Sequence, residues 1–173
     1  MKKIVLVSIL LCCSFLSFSQ RQINYNVSLS ATLMLNKDFG DYEDETLFVP
    51  NALMVRNGVD VKLNNRLSAG LNIGLDWHPE ISILAVPYFA DAKFNIAKND
   101  DDRFYAVAGY GKLLKLGNGF ERGNYHKFGL GVEVSSSDKI GFQIGLDFHQ
   151  KTIANYKNGK LNSLSFGLGV FFL

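Results

Sequence analysis

Residues 23 to 35 read INYNVSLSATLML, a segment in which apolar and polar side chains alternate. The polar positions are Asn24, Asn26, Ser28, Ser30 and Thr32, and the apolar positions are Ile23, Tyr25, Val27, Leu29, Ala31, Leu33 and Leu35. A period of two places unlike side chains on opposite faces of an extended chain. The segment therefore predicts a long β-strand with one apolar and one polar face.

Seven further segments show the same alternation, with turn-forming residues between them. They are Val49–Leu63, Leu67–His78, Leu84–Ile96, Phe104–Leu114, His126–Val134, Ile140–Gln150 and Leu161–Leu173. Beyond residue 20, no window shows a sustained helical period or an apolar run near the roughly 18 residues that a spanning helix needs. Eight long strands predict an all-β fold, an eight-stranded antiparallel up-and-down transmembrane β-barrel.

The N-terminal segment has the composition of a secretory signal peptide. Lys2 and Lys3 precede the apolar stretch Ile4–Phe18, and the segment ends in small and polar residues. This order of charged, apolar and small residues is typical of export signals. We therefore predict a cleaved signal peptide at 1–19 and a β-barrel domain at 20–173.

Both cysteines of the chain, Cys12 and Cys13, lie inside the predicted signal peptide. The mature chain would therefore contain no disulfide and no thiolate metal site. A lipoprotein signal is the alternative, with cleavage before one of these cysteines. It is disfavoured because Leu11 or Cys12 would stand where lipobox patterns usually have Gly, Ala or Ser.

The glycines indicate which face of each predicted strand points into the barrel. Five are assigned to loops, namely Gly40, Gly117, Gly119, Gly123 and Gly159. The other eleven lie on the polar parity: Gly58, Gly70, Gly74, Gly109, Gly111, Gly129, Gly131, Gly141, Gly145, Gly167 and Gly169. An eight-stranded barrel is just wide enough for side chains to fill, so small residues are needed inside it. The apolar face is therefore predicted to point outward into lipid.

Charged side chains follow the same division. The outward parity of the predicted strands carries one charged residue, Lys112, near a strand end. The inward parity carries five acids and five bases, which we predict to form a polar network in the lumen: Arg56, Asp60, Lys62, Asp76, Asp91, Lys93, Lys127, Glu133, Asp147 and Lys151. Buried charges must be paired or neutralised, so this balanced set predicts a closed lumen.

A short repeat places four possible metal ligands at one end of the barrel. Gly70–His78 matches Gly141–His149 at six of nine positions, on the third and seventh predicted strands. The period of two turns the candidate ligands inward: Asp76, His78, Asp147 and His149. One hypothesis is a divalent metal site. The favoured hypothesis is a polar lid, in which Asp147 pairs with Lys127 and each His caps a carboxylate, and no metal or other cofactor is predicted.

The predicted loops are longer at one end of the barrel than at the other. Residues 37–48, 79–83, 115–125 and 151–160 form the long set, and 64–66 and 135–138 are short turns. The first loop holds five acids: Asp38, Asp41, Glu43, Asp44 and Glu45. A cation or partner site is one interpretation. A solvated acidic loop is favoured, because no ligand spacing of the EF-hand kind is present.

Four segments together carry a family resemblance. They are SFSQ at the end of the signal, AVPYFADAKFNI and FYAVAGYG in the middle of the chain, and LSFGLGVFFL at its end. With these segments the mature chain resembles the small outer-membrane β-barrel family, the OmpA/OmpX-type and porin-family barrels of Gram-negative bacteria. The resemblance implies an outer-membrane location, with outer-membrane lipid and the barrel assembly machinery as partners. In that family the machinery reads an aromatic residue at the end of the last strand, where this chain has Phe172 followed by Leu173.

The function favoured by these features is a non-enzymatic structural or interaction role, with an unknown extracellular partner bound through the loops. A lipid-modifying outer-membrane enzyme is one alternative, but the His-x-Ser pattern of the deacylase type is missing, because His126 and Lys127 are followed by Phe128. A narrow pore and a soluble lipocalin-like ligand-binding barrel are the others. Nucleic-acid binding is not expected, because the chain after residue 19 carries 16 basic and 16 acidic residues.

Overall fold

The computed structural model describes residues 23–35, 48–79, 82–99, 102–117, 122–136, 139–153 and 159–173. The predicted signal peptide with Cys12 and Cys13 lies outside the described residues, as does the acidic part of the first loop from Asp38 to Glu45. The predictions made for these segments stay predictions.

Eight strands make up the fold, and they close into one barrel in chain order. Each strand is antiparallel to both of its neighbours. The predicted eight-stranded antiparallel up-and-down barrel is therefore confirmed. The strands are β1 Ile23–Leu35, β2 Phe48–Lys62, β3 Leu67–His78, β4 Ile83–Asn99, β5 Asp102–Leu114, β6 Gly123–Ser135, β7 Ile140–Ile153 and β8 Lys160–Phe172. Among the described residues, no helix is long and apolar enough to span a membrane.

Several strands are longer than the alternation predicted. β4 and β5 continue to the pair Asn99 and Asp102, and β6 and β7 continue to the pair Gly123 and Ile153. The prediction that Gly123 lies in a loop is wrong for this reason. Backbone pairing with a neighbouring strand extends these ends, and it does not depend on the apolar side chains that the sequence pattern detects.

The two rims of the barrel differ in what they carry. The terminal rim holds the start of β1 and the end of β8, where Tyr25 pairs with Phe172. It also holds the connections β2 to β3, β4 to β5 and β6 to β7. The loop rim is the opposite end and holds the remaining connections. These two names are used below for the two ends of the barrel.

The strands are strongly staggered around the barrel. A row of paired residues that starts at Ile23 passes through Val61, Ala69, Ala92, Ala108, Phe128, Phe148 and Leu164 and returns to β1 at Leu33. The row therefore climbs ten residues towards the loop rim in one circuit, from position 23 to position 33. Such a stagger over eight strands tilts each strand by about 40° from the barrel axis.

The two faces of the wall have opposite chemistry. Large apolar side chains are exposed on the outside, including Leu71, Trp77 and Phe166. The buried side chains on the inside are largely polar or charged, and Asp76, His78 and Lys151 have no exposed surface. A soluble domain buries its apolar side chains and exposes its charges. This barrel does the reverse, as expected for a wall that faces lipid.

Inward glycines make room for neighbouring side chains in the lumen, but not all of them are needed equally. A Cβ on Gly141 would lie 2.6 and 2.7 Å from two ring carbons of the buried Phe171, whereas a Cβ on Gly145 has its nearest neighbour at 3.7 Å.

We expect Gly141→Ala to cost about 1 to 3 kcal/mol of unfolding free energy through overpacking. Gly145→Ala, on the same strand, should be neutral or stabilising by up to about 1 kcal/mol. Urea unfolding in lipid vesicles measures both, and equal costs would contradict the packing assigned to Phe171.

Candidate functional site in the barrel lumen

A buried ionic triad occupies the loop-rim half of the lumen. Asp76 on β3 forms ion pairs with Arg56 on β2 and with Lys151 on β7, at 2.7 Å in the case of Lys151. Lys151 Nζ also donates to His78 Nε2 at 2.8 Å. The triad thus connects opposite walls of the barrel, and one carboxylate is shared by two cations. Charge-assisted bonds of this kind hold the walls at a fixed spacing.

Aromatic and hydroxyl groups extend the triad across the lumen. The guanidinium of Arg56 donates to the hydroxyl of Tyr125 at 3.3 Å. That hydroxyl lies 2.6 Å from Nδ1 of His149, and Nε2 of His149 lies 2.7 Å from Oγ of Ser165. A continuous hydrogen-bonded chain therefore runs from His78 on β3 to Ser165 on β8. We call this chain of seven residues the loop-side network: His78, Lys151, Asp76, Arg56, Tyr125, His149 and Ser165.

A second ionic cluster fills the terminal-rim half of the lumen. Lys93 Nζ on β4 lies 2.6 Å from a carboxylate oxygen of Asp60 on β2 and 3.1 Å from one of Glu133 on β6. Glu133 also lies 3.6 Å from the guanidinium of Arg103 on β5. The cluster contains two acids and two bases, so its charges balance. All four side chains are at least nine-tenths buried as residues.

Between the two clusters lies a small polar cavity. Lys127 and Asp147 form an ion pair of 3.0 Å on its wall. Asn72 donates to Asp91 on the same wall at 3.0 Å. The cavity volume is about 30 Å³, which leaves room for about two water molecules. This part of the lumen is therefore lined mainly by polar side chains.

An apolar cluster lies above the cavity at the loop rim. It consists of buried side chains from five strands: Ala85, Phe89, Leu113, Tyr125, Ile153 and Leu161. Tyr125 belongs both to this cluster and to the loop-side network. Apolar side chains packed together in a narrow barrel exclude water from the ion pairs beneath them.

The structure does not bring the four proposed metal ligands together as a metal site. No group of three or more His, Cys, Asp or Glu side chains suited to a metal ion occurs within the described ranges. Asp147 pairs with Lys127, as the lid hypothesis proposed, at 3.0 Å. The proposal that His149 caps a carboxylate is wrong, because both of its ring nitrogens contact the hydroxyls of Tyr125 and Ser165. The hydroxyls of Tyr125 on β6 and Ser165 on β8 lie close to His149 because these two strands flank β7.

Two residues of the lumen were not predicted from the sequence. Tyr125 lies in a predicted loop, yet it is fully buried on β6. Arg103 precedes the predicted start of β5, yet it pairs with Glu133. Both lie on the inward parity once their strands are extended towards the rims. Lys62, which was predicted for the lumen, is half-buried near the terminal rim. The predicted inward and outward faces of the strands are correct, but the predicted strands are too short to include Tyr125 and Arg103.

Ser165, His149 and Tyr125 have the spacing of a nucleophile, a base and an orienting group. Ser165 is 1% exposed and His149 is 3% exposed. Neither lines the central cavity. Both side chains are therefore buried, and the contacts of Ser165 and His149 in the described part of the chain are hydrogen bonds within the loop-side network.

Comparison with known proteins identifies the fold. No family model and no curated protein matches the chain. Among solved structures, the chain is similar to Neisserial surface protein A, NspA, with a TM-score of 0.64 and 10% identity over 87% of this chain and 96% of that chain. It is also similar to the N-terminal β-barrel domain of Pseudomonas aeruginosa OprF, with a TM-score of 0.55 and 12% identity over 88% and 98% of the two chains. The chain therefore has the fold of the small eight-stranded outer-membrane barrels, as the resemblance in its sequence implied.

Proposed function

We propose that the chain is an integral outer-membrane protein with a closed lumen, acting in a structural or interaction role through the loops at its loop rim. Its mature form would be exported and inserted with the terminal rim towards the periplasm. Lipid surrounds the wall in this proposal, and the partner bound by the loops is extracellular. The barrel assembly machinery would insert it.

One observation supports this proposal above the others. The exposed outer wall is largely apolar, and the ion pairs are enclosed within the barrel. An apolar wall of this extent is stable in a bilayer and promotes aggregation in water. A soluble lipocalin-like barrel needs the opposite arrangement, with an apolar interior that can hold a ligand.

Membrane fractionation followed by gel electrophoresis with and without boiling tests this proposal. We expect the expressed chain in the outer-membrane fraction, and we expect the unboiled barrel to migrate differently from the boiled chain, because the closed sheet resists detergent. A chain recovered from the soluble periplasm, or one whose mobility is unaffected by boiling, contradicts the proposal.

The alternatives of a pore and of an enzyme have less support in the lumen. Among the described residues, a cavity of about 30 Å³ lies beneath a packed apolar cluster, which argues against the wide aqueous channel of barrels with 16 or more strands. The Ser165 and His149 pair is enclosed by neighbouring side chains. The outward His126 has no Ser two residues later, since Phe128 stands there. We therefore propose a role without catalysis.

A further inference from the structure

The outer wall is not uniformly apolar near the loop rim. On β5 to β8, one row of paired outward residues contains Tyr110, His126, Gln150 and Asn162. The next row towards the loop rim contains Lys112, Asn124, Thr152 and Lys160. We call these two rows the polar band. The row directly below it is apolar, with Phe128, Phe148 and Leu164.

The opposite wall has no such band at the same level. Leu53 pairs with Trp77, and Trp77 pairs with Leu84, close to the loop rim. Both Leu53 and Trp77 are exposed on the outside. The apolar belt therefore reaches further towards the loop rim on β2 to β4 than it does on β5 to β8.

Strand tilt brings three side chains of the polar band to one height. Lys112 lies two residues above Tyr110, which pairs with His126, and His126 pairs with Gln150. Each step to the next strand along a row rises about 3 Å, and two residues along a strand rise about 5 Å. Lys112, His126 and Gln150 therefore lie within about 3 Å of one height, on three adjacent strands.

We propose that the polar band binds the phosphate-bearing headgroup of a phosphorylated glycolipid in the membrane leaflet at the loop rim. The proposal rests on the proposed membrane location of the barrel. The aromatic side chains Phe128 and Phe148 mark the boundary of the acyl region, so headgroups lie at the level of the band. Lys112 can keep its stem along the wall and place its ammonium among these headgroups.

The chemistry of the band fits this class of lipid. Lys112 supplies a positive charge for a phosphate, and Lys160 in the same row is a second exposed cation of the band. Lys115 and Arg122 are further exposed cations beyond the band, nearer the loop rim. No acidic side chain occurs in the polar band itself. Gln150 donates to Asn162 at 3.1 Å, and such amides can both donate to and accept from sugar hydroxyls. Nδ1 of His126 is buried without a hydrogen-bond partner, and its ring packs 5.0 Å from that of Tyr110.

Lipid retention by the full barrel tests the proposal. The barrel is inserted into phosphatidylcholine nanodiscs that contain a small fraction of bis-phosphorylated lipid A, of its phosphate-free counterpart, or of phosphatidylglycerol. It is then extracted in mild detergent, and the retained lipid is quantified by mass spectrometry. We expect the wild type to retain the phosphorylated glycolipid in preference to both other lipids. Lys112→Gln should lower this retention about fivefold, the effect of one lysine near an anionic headgroup.

Lys98→Gln is the matched control, because Lys98 is an exposed lysine near the terminal rim. It should leave retention unchanged. The proposal is overturned if the two variants lose retention equally, or if the phosphate-free glycolipid or phosphatidylglycerol is retained as well as the phosphorylated glycolipid. A wild type that does not insert at all, shown by the absence of a heat-dependent gel shift, contradicts the membrane location itself. A barrel that inserts without lipid preference contradicts the lipid site alone.

Discussion

Asp76→Asn is expected to lower the free energy of unfolding by about 3 to 5 kcal/mol, the cost of breaking a buried ion pair by removing one partner. Asp76 is the carboxylate shared by Arg56 and Lys151, and the side chains of Asp76 and Lys151 have no exposed surface. An amide at this position leaves two buried cations without a counter-charge. Urea unfolding of the barrel in lipid vesicles, followed by Trp fluorescence, measures the loss.

Two further variants separate charge from packing. Adding Lys151→Met to Asp76→Asn removes one of the uncompensated cations and should recover part of the lost stability, as a double-mutant cycle would show. Asp102→Asn is the matched acid at the terminal rim, where the side chain is exposed, and it should change stability by less than about 0.5 kcal/mol. If Asp76→Asn costs no more than Asp102→Asn, the triad does not stabilise the barrel.

Leu71→Arg is expected to cost about 2 to 4 kcal/mol when the barrel folds into a bilayer, the penalty for a charge on the lipid face near the midplane. Leu71 points outward from β3 and is 71% exposed in the absence of lipid. Its strand partners are Val59 on β2 and Ala90 on β4, and all three residues lie away from the loop rim. Folding into vesicles of a defined phospholipid over a urea gradient gives the free energy directly.

Leu116→Arg provides the comparison, because Leu116 is 65% exposed but follows β5 at the loop rim. A charge there reaches water or headgroups and should cost about 0 to 1 kcal/mol. A soluble barrel would tolerate both substitutions equally, since both leucines would face water. Equal tolerance therefore rules out the assignment of the outer wall to lipid.

The alternation of side chains was sufficient to determine the number of strands and the face that each residue occupies. Residues such as Leu71 and Asp76 were placed outside and inside from a period of two alone. The same pattern did not define the strand ends, so Tyr125 was missed although it lies at the centre of the loop-side network. At the strand ends, polar residues belong to a strand because an adjacent strand pairs with them. The sequence of one segment does not show which residues of another strand will pair with it.

The tertiary structure alone decided which side chains meet across strands that are not neighbours. Lys93 on β4 joins Asp60 on β2 to Glu133 on β6, although none of these three strands is adjacent to another. Their contact requires closure of the barrel and the stagger of ten residues that sets the height of each strand. The same tilt brings Lys112 and His126 to one level on the outer wall. The period of two in the sequence determines whether a side chain points into the barrel or out of it. The height of a residue along the barrel axis, and its distance from side chains across the lumen, depend on the pairing register of all eight strands.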